Sequence, residues 1–362
     1  MTKAVILGAG KIGSAIAKHL FHTGDYEVTV GDIDTSSLAR TSDQVPVKTQ
    51  VIDVSDLSAL TQFLTGQDLV ISACSFQVNP TIAEASLRAG VSYFDLTEDV
   101  ATTEAVRTVA SKAKAGQIFM PQCGLAPGFI GILAYDLCKS FDEVHKVKMR
   151  VGALPQYPTN MMMYNLTWST DGLINEYCNP CEAIRNGEQV KVLPLEGIEH
   201  FSMDGIDYEA FNTSGGLGTL CETLNNQVSD LDYKTVRYKG HCYLMAFLTQ
   251  SLRLSQRRDV LKDILENAVP ITMQDVILIF CSVSGMRNGV LTQMTDARKI
   301  YHRDLYGEHW SSIQLTTASS LCAVVDLFRD GKLPNRGFVK QEEVVLADLL
   351  ANRFGQYYIC ES

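Results

Sequence analysis

The chain has 362 residues, enough for one large domain or two ordinary ones. Hydrophobic residues make up 46% and charged residues 20%, which excludes a disordered, collagenous or coiled-coil protein. Acidic residues outnumber basic ones by 41 to 31, a formal net charge of −10, and no dense Lys/Arg cluster interrupts that excess. Nucleic acid and anionic membrane surfaces are therefore not expected partners. No apolar run reaches the roughly 18–20 residues a membrane span needs, and the opening residues do not form a signal peptide, so a cytoplasmic location is expected.

The first 120 residues follow a βαβ rhythm. Residues 3–7 read as a strand, 8–13 as a glycine turn, and the next stretch as a helix with Ile12, Ile16 and Leu20 on one face. Strands are expected at 27–30, ending in Gly31-Asp32, at 47–52, followed by Asp53, and at 68–73, 92–94 and 118–120. The intervening helices are placed at 56–64, at 80–89, with proline in the first turn, and at 102–115. Strands alternating with such helices predict a doubly wound parallel sheet of Rossmann type.

After Pro121 the rhythm changes. Strands are expected at 144–151, 161–168, 235–238, 276–283 and 290–297, with hairpins at 203–205 and at 286–289, where Asn288-Gly289 is a turn signal. In the stretch 161–168, Tyr164 and Trp168 would share a strand face. Helices are expected at 311–328 and 341–354. The predicted organisation is an α/β dinucleotide domain over residues 1–124, an α+β domain with a mostly antiparallel sheet over 125–319, and a segment 320–362 packing back on the first domain. The ten cysteines are scattered and read as free thiols. Cys178 and Cys181 form a lone CxxC without a second pair, so no metal is expected.

The chemistry starts at Gly8-Ala9-Gly10-Lys11-Ile12-Gly13, which follows a strand, opens a helix and lies nineteen residues before Asp32. Gly8 permits the tight turn, Gly10 lets the backbone approach a pyrophosphate, and Gly13 lets helix and strand pack closely. The helix N-terminus offers free N–H groups and a partial positive charge to phosphates. Asp32 would accept hydrogen bonds from ribose hydroxyls and repel a 2′-phosphate, which predicts NAD in preference to NADP. Open parallel sheets bind ligands beyond the carboxyl ends of their strands. Those ends include Asp53-Val54, Ala73-Cys74, Asp95-Leu96-Thr97-Glu98 and the small-residue loop Gly124-Leu125-Ala126-Pro127-Gly128, read as the wall beside a nicotinamide ring.

GAGKIG with Asp32, then CGLAPG, YNLTWSTDGLINEY, AIRNG, FNTSGG and TVRYKGH follow one another in that order. Together they resemble the saccharopine dehydrogenase family over nearly the whole chain, and within it most closely the short, NAD-linked lysine 6-dehydrogenases. The resemblance implies a Rossmann domain, a second domain that binds substrate and helps form a homodimer, and a dehydrogenase acting on CH-NH2 or CH-NH of an amino acid. It implies that the glycine loop, Asp32-Ile33, Asp53-Val54, Ala73-Cys74 and Gly124-Leu125 contact the cofactor. It implies that Thr97, Trp168 and the Thr235-Val236-Arg237 segment lie against substrate, with Arg237 holding a carboxylate by a bidentate fork. Ala126 departs from the saccharopine reductases, which carry an acidic residue there, and this favours a smaller substrate such as L-lysine, oxidatively deaminated at its 6-amino group. Alternatives are a saccharopine dehydrogenase and a dinucleotide-binding regulatory protein without turnover. No general base stands out; Glu98 and His241 are the candidates.

Overall fold

The structure is a computed structural model that describes residues 1–359. It divides into two compact units, one comprising residues 1–132 and 316–359, the other residues 133–315.

In the first unit the chain runs β1 (Thr2–Leu7), α1 (Lys11–His22), β2 (Tyr26–Asp32), α2 (Thr35–Gln44), β3 (Lys48–Val51), α3 (Leu57–Leu64), β4 (Leu69–Ser72), α4 (Asn79–Ala89), β5 (Ser92–Asp95), α5 (Val100–Ala110), β6 (Ile118–Met120) and the first turn of α6 (Phe129–Cys138), which continues into the second unit. The sheet order is β6-β5-β4-β1-β2-β3, every pair parallel, with the short strand Gly337–Phe338 added beside β6. Ala4 to Leu7 and Leu69 to Ile71 are completely buried, as befits strands covered by helices on both faces. Asp34, Asp56 and Asp99 cap α2, α3 and α5 by accepting hydrogen bonds from first-turn N–H groups. The apolar core below the sheet includes Val5, Leu7, Leu64, Val70, Ile82 and Phe119. The strand order reverses between β1 and β4, the switch point at which such sheets bind ligands.

The second unit holds β7 (Glu143–Pro155), α7 (Thr170–Cys178), β8 (Cys181–Arg185), β9 (Glu188–Val192), β10 (Glu199–Met203), β11 (Ile206–Asn212), α8 (Leu220–Thr223), β12 (Asp230–Tyr238), α9 (His241–Ala246), α10 (Arg258–Ala268), β13 (Asp275–Arg287) and β14 (Val290–Tyr301). Its eight-stranded sheet runs β10-β11-β12-β7-β13-β14, with β8 also on β12 and β9 on β8. Only β7 and β12 pair in parallel; the rest are antiparallel. The turn between β13 and β14 has Asn288 and Gly289 both at positive φ, the geometry in which a two-residue turn matches strand twist. Asn186 and Gly187 do the same between β8 and β9.

Two expected elements differ. Residues 161–168 do not form a strand. Asn160 closes a turn there, its amide donating to the Tyr164 carbonyl at 2.6 Å, and Met163 takes a left-handed conformation. Only Leu166 makes a β-bridge, to Ile271. The alternating apolar residues serve burial against α7 and α9, not a sheet. The helix expected over 341–354 is broken: a 3-10 turn at Gln341–Glu343, extended Val344 and Val345, then a short helix Leu346–Ala351. Among the described residues no helix is long and apolar enough to cross a membrane.

Candidate functional site

The first candidate site lies where β1, β2 and β4 end. Gly8 sits at φ +100°, and a Cβ on it would come within 2.8 Å of the Ala73 carbonyl oxygen. A Cβ on Gly13 would come within 1.8 Å of the Gly8 carbonyl oxygen. Both glycines are therefore required by packing. Gly10 is different: a Cβ there would meet nothing within 4 Å, so its bareness serves space outside the protein. Helix α1 has neither a side-chain cap nor an acidic residue in its first turn, unlike the aspartate-capped α2, α3 and α5. Its N-terminal charge and N–H groups are left for an external anion.

Asp32 ties this turn to β2. Its carboxylate accepts the Ala9 N–H at 2.6 Å and the Asp34 N–H at 2.8 Å. The Asp34 carboxyl is held low, at a pKa of about 2, by the hydroxyls of Ser37 and Ser36 and the Ser36 N–H, so a second anion stands two residues beyond Asp32. Ile33 is 66% exposed beside them. Asp53 accepts from the N–H and hydroxyl of Ser55. Ala73 hydrogen-bonds the Leu7 carbonyl. Burial, reinforced by the Asp32 charge, pushes the Cys74 thiol up to about 12, which leaves it protonated.

Further along the strand ends, Asp95 is completely buried. It accepts from the Tyr93 hydroxyl at 2.6 Å, the Asn79 amide at 3.2 Å, and the N–H groups of Thr97 and Gln122 at 2.9 and 3.0 Å. One carboxyl thus anchors both Thr97 and the start of the loop at 122–128. In that loop Gly128 sits at φ +132°, and a Cβ on it would come within 2.0 Å of the Gly124 carbonyl oxygen. Only glycine closes so tight a turn, with Leu125 buried. Glu98 is half-buried in the neighbouring loop.

The second candidate site lies in the other unit, around Arg237. Tyr233, Thr235 and Arg237 alternate along β12 and so share one face. Arg237 is only 2% exposed. Its Nε donates to the Tyr177 hydroxyl at 2.9 Å and its Nη1 to the Val236 carbonyl at 2.8 Å. The guanidinium also lies 5.1 Å from the Tyr164 ring. Against the effect of burial, the charge of the buried Glu176 carboxylate, next to Tyr177 in the chain, acts on it and raises its pKa. Burying a cation costs several kcal/mol unless nearby charges and hydrogen bonds offset it, and the guanidinium cannot give up its charge. In the same unit the Tyr164 hydroxyl, Asn165 Oδ1, Thr167 Oγ1 and Thr213 Oγ1 are buried without hydrogen-bond partners among the described residues. Thr235 is buried, its hydroxyl reaching the Val151 carbonyl at 3.4 Å, and Trp168 packs on the same apolar cluster.

His241 sits behind Tyr177. Its Nδ1 is 2.9 Å from the Met162 carbonyl and its Nε2 is 3.0 Å from the Tyr177 hydroxyl. A carbonyl only accepts, so Nδ1 carries the hydrogen and Nε2 accepts the hydrogen bond donated by the Tyr177 hydroxyl. Burial, then the charge of Arg237, lowers its pKa to about 3. Both ring nitrogens are engaged, and the imidazole is neutral near pH 7.

Sequence reasoning did not single out Asp95, Tyr177 or Asn165. Asp95 was visible only as a strand-end acid, and Tyr177 and Asn165 only as members of the YNLTWSTDGLINEY stretch. Nothing in sequence spacing marks which of these is buried.

The switch-point turn, the uncapped α1 and the Asp32 tether define a Rossmann-type dinucleotide-binding protein with a separate α+β unit. Residues 4–120 match the saccharopine dehydrogenase NADP binding domain and residues 124–356 the saccharopine dehydrogenase C-terminal domain; the chain belongs to the saccharopine dehydrogenase family. It is 25% identical over 197 residues to the mitochondrial alpha-aminoadipic semialdehyde synthase of Mus musculus, covering 52% of this chain and 21% of that one. It is 25% identical over 207 residues to the saccharopine dehydrogenase [NADP(+), L-glutamate-forming] of Schizosaccharomyces pombe, covering 53% of this chain and 44% of that one. The chain thus spans less than half the length of these relatives. Its fold is that of the apo saccharopine dehydrogenase (L-Glu forming) from Saccharomyces cerevisiae, with a TM-score of 0.81 at 17% identity, covering 97% of this chain and 96% of that one.

Proposed function

We propose that the chain is an NAD-dependent dehydrogenase that oxidises a C–N bond of an amino acid, with the 6-amino group of L-lysine as substrate. The observation that carries the amino-acid part is Arg237, a buried guanidinium whose Nε and Nη1 are held by Tyr177 and Val236. A substrate carboxylate would be held in the bidentate geometry arginine favours.

The residues of the first unit fit a nicotinamide dinucleotide: the turn at Gly8 to Gly13 and the bare N-terminus of α1 for the pyrophosphate, Asp32 for the ribose, Ala73, Cys74, Gly124 and Leu125 along the crevice. Asp32 and Asp34 together disfavour a 2′-phosphate, which supports NAD although the matched domain is named for NADP. Bound dinucleotide supplies the hydride acceptor.

The chain's own residues must present the substrate amine neutral, because the nitrogen lone pair drives hydride out of the adjacent carbon. Removing a proton from a lysine amine at pH 7 costs about 4.6 kcal/mol, given a free pKa of about 10.4. We assign that proton to Glu98 and not to His241, whose nitrogens are both occupied. The C–H bond breaks, a C=N bond forms on the substrate, and water then replaces ammonia at that carbon.

A second reading, oxidation of the secondary amine of saccharopine, is favoured by the names of the relatives; Ala126 stands against it. Incubation with NAD and either lysine or saccharopine decides. Lysine-dependent NADH formation supports the first reading; turnover of saccharopine alone replaces it. NADH binding without any redox change would leave a non-catalytic dinucleotide-binding protein.

A further inference from the structure

The Arg237 cluster contains more than a carboxylate clamp. Its hydrogen bonds run in one direction through three buried side chains: Arg237 Nε–H to the Tyr177 oxygen at 2.9 Å, the Tyr177 O–H to His241 Nε2 at 3.0 Å, and His241 Nδ1–H to the Met162 carbonyl at 2.9 Å. Every member is at most 2% exposed, so none can be replaced by water without rearrangement. The three residues come from β12, α7 and the start of α9, and the Met162 carbonyl from the irregular segment at 161–168.

The polarity of the chain is fixed at its far end. The Met162 carbonyl accepts only, which puts the imidazole hydrogen on Nδ1. That leaves Nε2 with a lone pair, so the tyrosine must turn its hydrogen toward His241 and its oxygen toward Arg237. A tyrosine with its hydrogen turned the other way would confront the Nε–H of the guanidinium. The imidazole is neutral near pH 7, its pKa lowered to about 3 by burial and then by the Arg237 charge. Rings reinforce the geometry: Tyr164 lies 5.1 Å from both the Arg237 guanidinium and the His241 ring, and Phe211 stacks on His241 at 6.4 Å.

A guanidinium has five N–H donors. With Nε held by Tyr177, and Nη1 giving one hydrogen to Val236, the plane and rotation of the fork are set before any ligand arrives. We infer that Tyr177 and His241 are positioning residues for substrate selection, which hold the Arg237 fork so that the enzyme distinguishes an amine carrying a carboxylate from the same amine without one. This rests on the carboxylate role of Arg237 given above. Neither residue touches the reacting atoms, so their effect belongs in KM and in the choice between substrates, not in the chemical step.

The test compares lysine with cadaverine, the same chain without the carboxylate, by initial NADH formation in the intact protein. In Tyr177→Phe the ring remains and the hydroxyl goes, and KM for lysine should rise about tenfold or more, the usual worth of a hydrogen bond to a charged group. The cadaverine-to-lysine KM ratio should fall by a similar factor, with kcat for lysine within about threefold. His241→Leu should reproduce that pattern, and His241→Gln, whose carbonyl can accept from Tyr177, should recover part of the loss. The melting temperature identifies any variant that has failed to fold, and NADH affinity by fluorescence, which reports on the first unit, should stay unchanged. An unchanged KM ratio in folded Tyr177→Phe and His241→Leu overturns the relay. If the unaltered protein turns over both amines but does not favour lysine, or Arg237→Lys leaves the ratio untouched, the carboxylate role itself fails.

Discussion

The Ala9 N–H donates to the Asp32 carboxylate at 2.6 Å, joining the turn after β1 to the end of β2 across 23 residues. The acid that would hold the ribose therefore also shapes the turn that would hold the pyrophosphate. Removing it should cost both contacts. Asp32→Ala should weaken NADH binding by about tenfold to a hundredfold, on the scale of one or two hydrogen bonds to a charged group. NADPH binding should weaken much less, because the repelled 2′-phosphate gains what the lost contacts cost. Fluorescence titration with the two nucleotides measures this, and an equal loss for both would remove Asp32 from the specificity argument.

The three glycines of the turn should separate stability from binding. Gly13→Ala forces a methyl to within 1.8 Å of the Gly8 carbonyl oxygen, and overpacking of that kind costs about 1–3 kcal/mol. Its melting temperature should drop. Gly10→Ala meets no protein atom within 4 Å, so its melting temperature should stay near that of the parent while NADH affinity falls by roughly tenfold or more, the new methyl lying where backbone and pyrophosphate must approach. Calorimetry together with NADH titration checks the pair. Full nucleotide affinity in Gly10→Ala would mean that the open space beside it is not the phosphate site.

Arg237→Ala should raise KM for lysine by about a hundredfold or more, since a carboxylate loses its charged bidentate partner. KM for a simple diamine should change far less. The measurement is the same NADH assay with both substrates, and parallel losses for the two would argue for a purely structural arginine.

Stability should fall on mild acidification. His19 is fully buried beside Ser319, and burial, then His22, lowers its pKa to about 3; His241 is lowered to about 3 as well. Between about pH 6.5, where an unfolded histidine takes up its proton, and pH 3, the unfolded chain binds more protons than the folded one. Stability therefore rises with pH through that window and is lost as pH falls, by up to about 1.4 kcal/mol per pH unit for each histidine. Urea midpoints at pH 7 and pH 5 should differ in that direction, and His19→Gln should reduce the difference. A midpoint unchanged from pH 7 to 5 would show that these imidazoles are not kept neutral by the fold.

Substrate turnover should have its own pH dependence. Because the amine must lose a proton, lysine oxidation should accelerate from pH 7 toward pH 9, and Glu98→Gln should move the rise to higher pH. A flat profile in the parent protein would exclude amine deprotonation before hydride departure.

The parallel strands and the Asn288-Gly289 turn were legible because their signals are local: glycines at fixed spacing, apolar runs covered on both faces, two residues that tolerate positive φ. Asn186-Gly187 carries the same turn signal and closes the β8–β9 hairpin. Residues 161–168 show where local reasoning stops. Their alternation of apolar and polar residues is genuine, but a side-chain turn at Asn160 and the left-handed Met163 convert it into an irregular wall. The break at Val344 and Val345 likewise interrupts an apolar pattern that reads as continuous helix.

What the sequence determined alone was the phosphate turn and its acid, because Gly8, Gly10, Gly13 and Asp32 lie within one βαβ unit whose geometry follows from short-range sterics and strand order. What tertiary structure decided was the surroundings of Arg237. Its burial and the orientation of its fork depend on α7, β12 and the start of α9 meeting in one buried place. Whether a charge is paired, and which nitrogen of an imidazole holds the hydrogen, are properties of neighbours separated by sixty residues or more in the chain, and no spacing rule reaches that far.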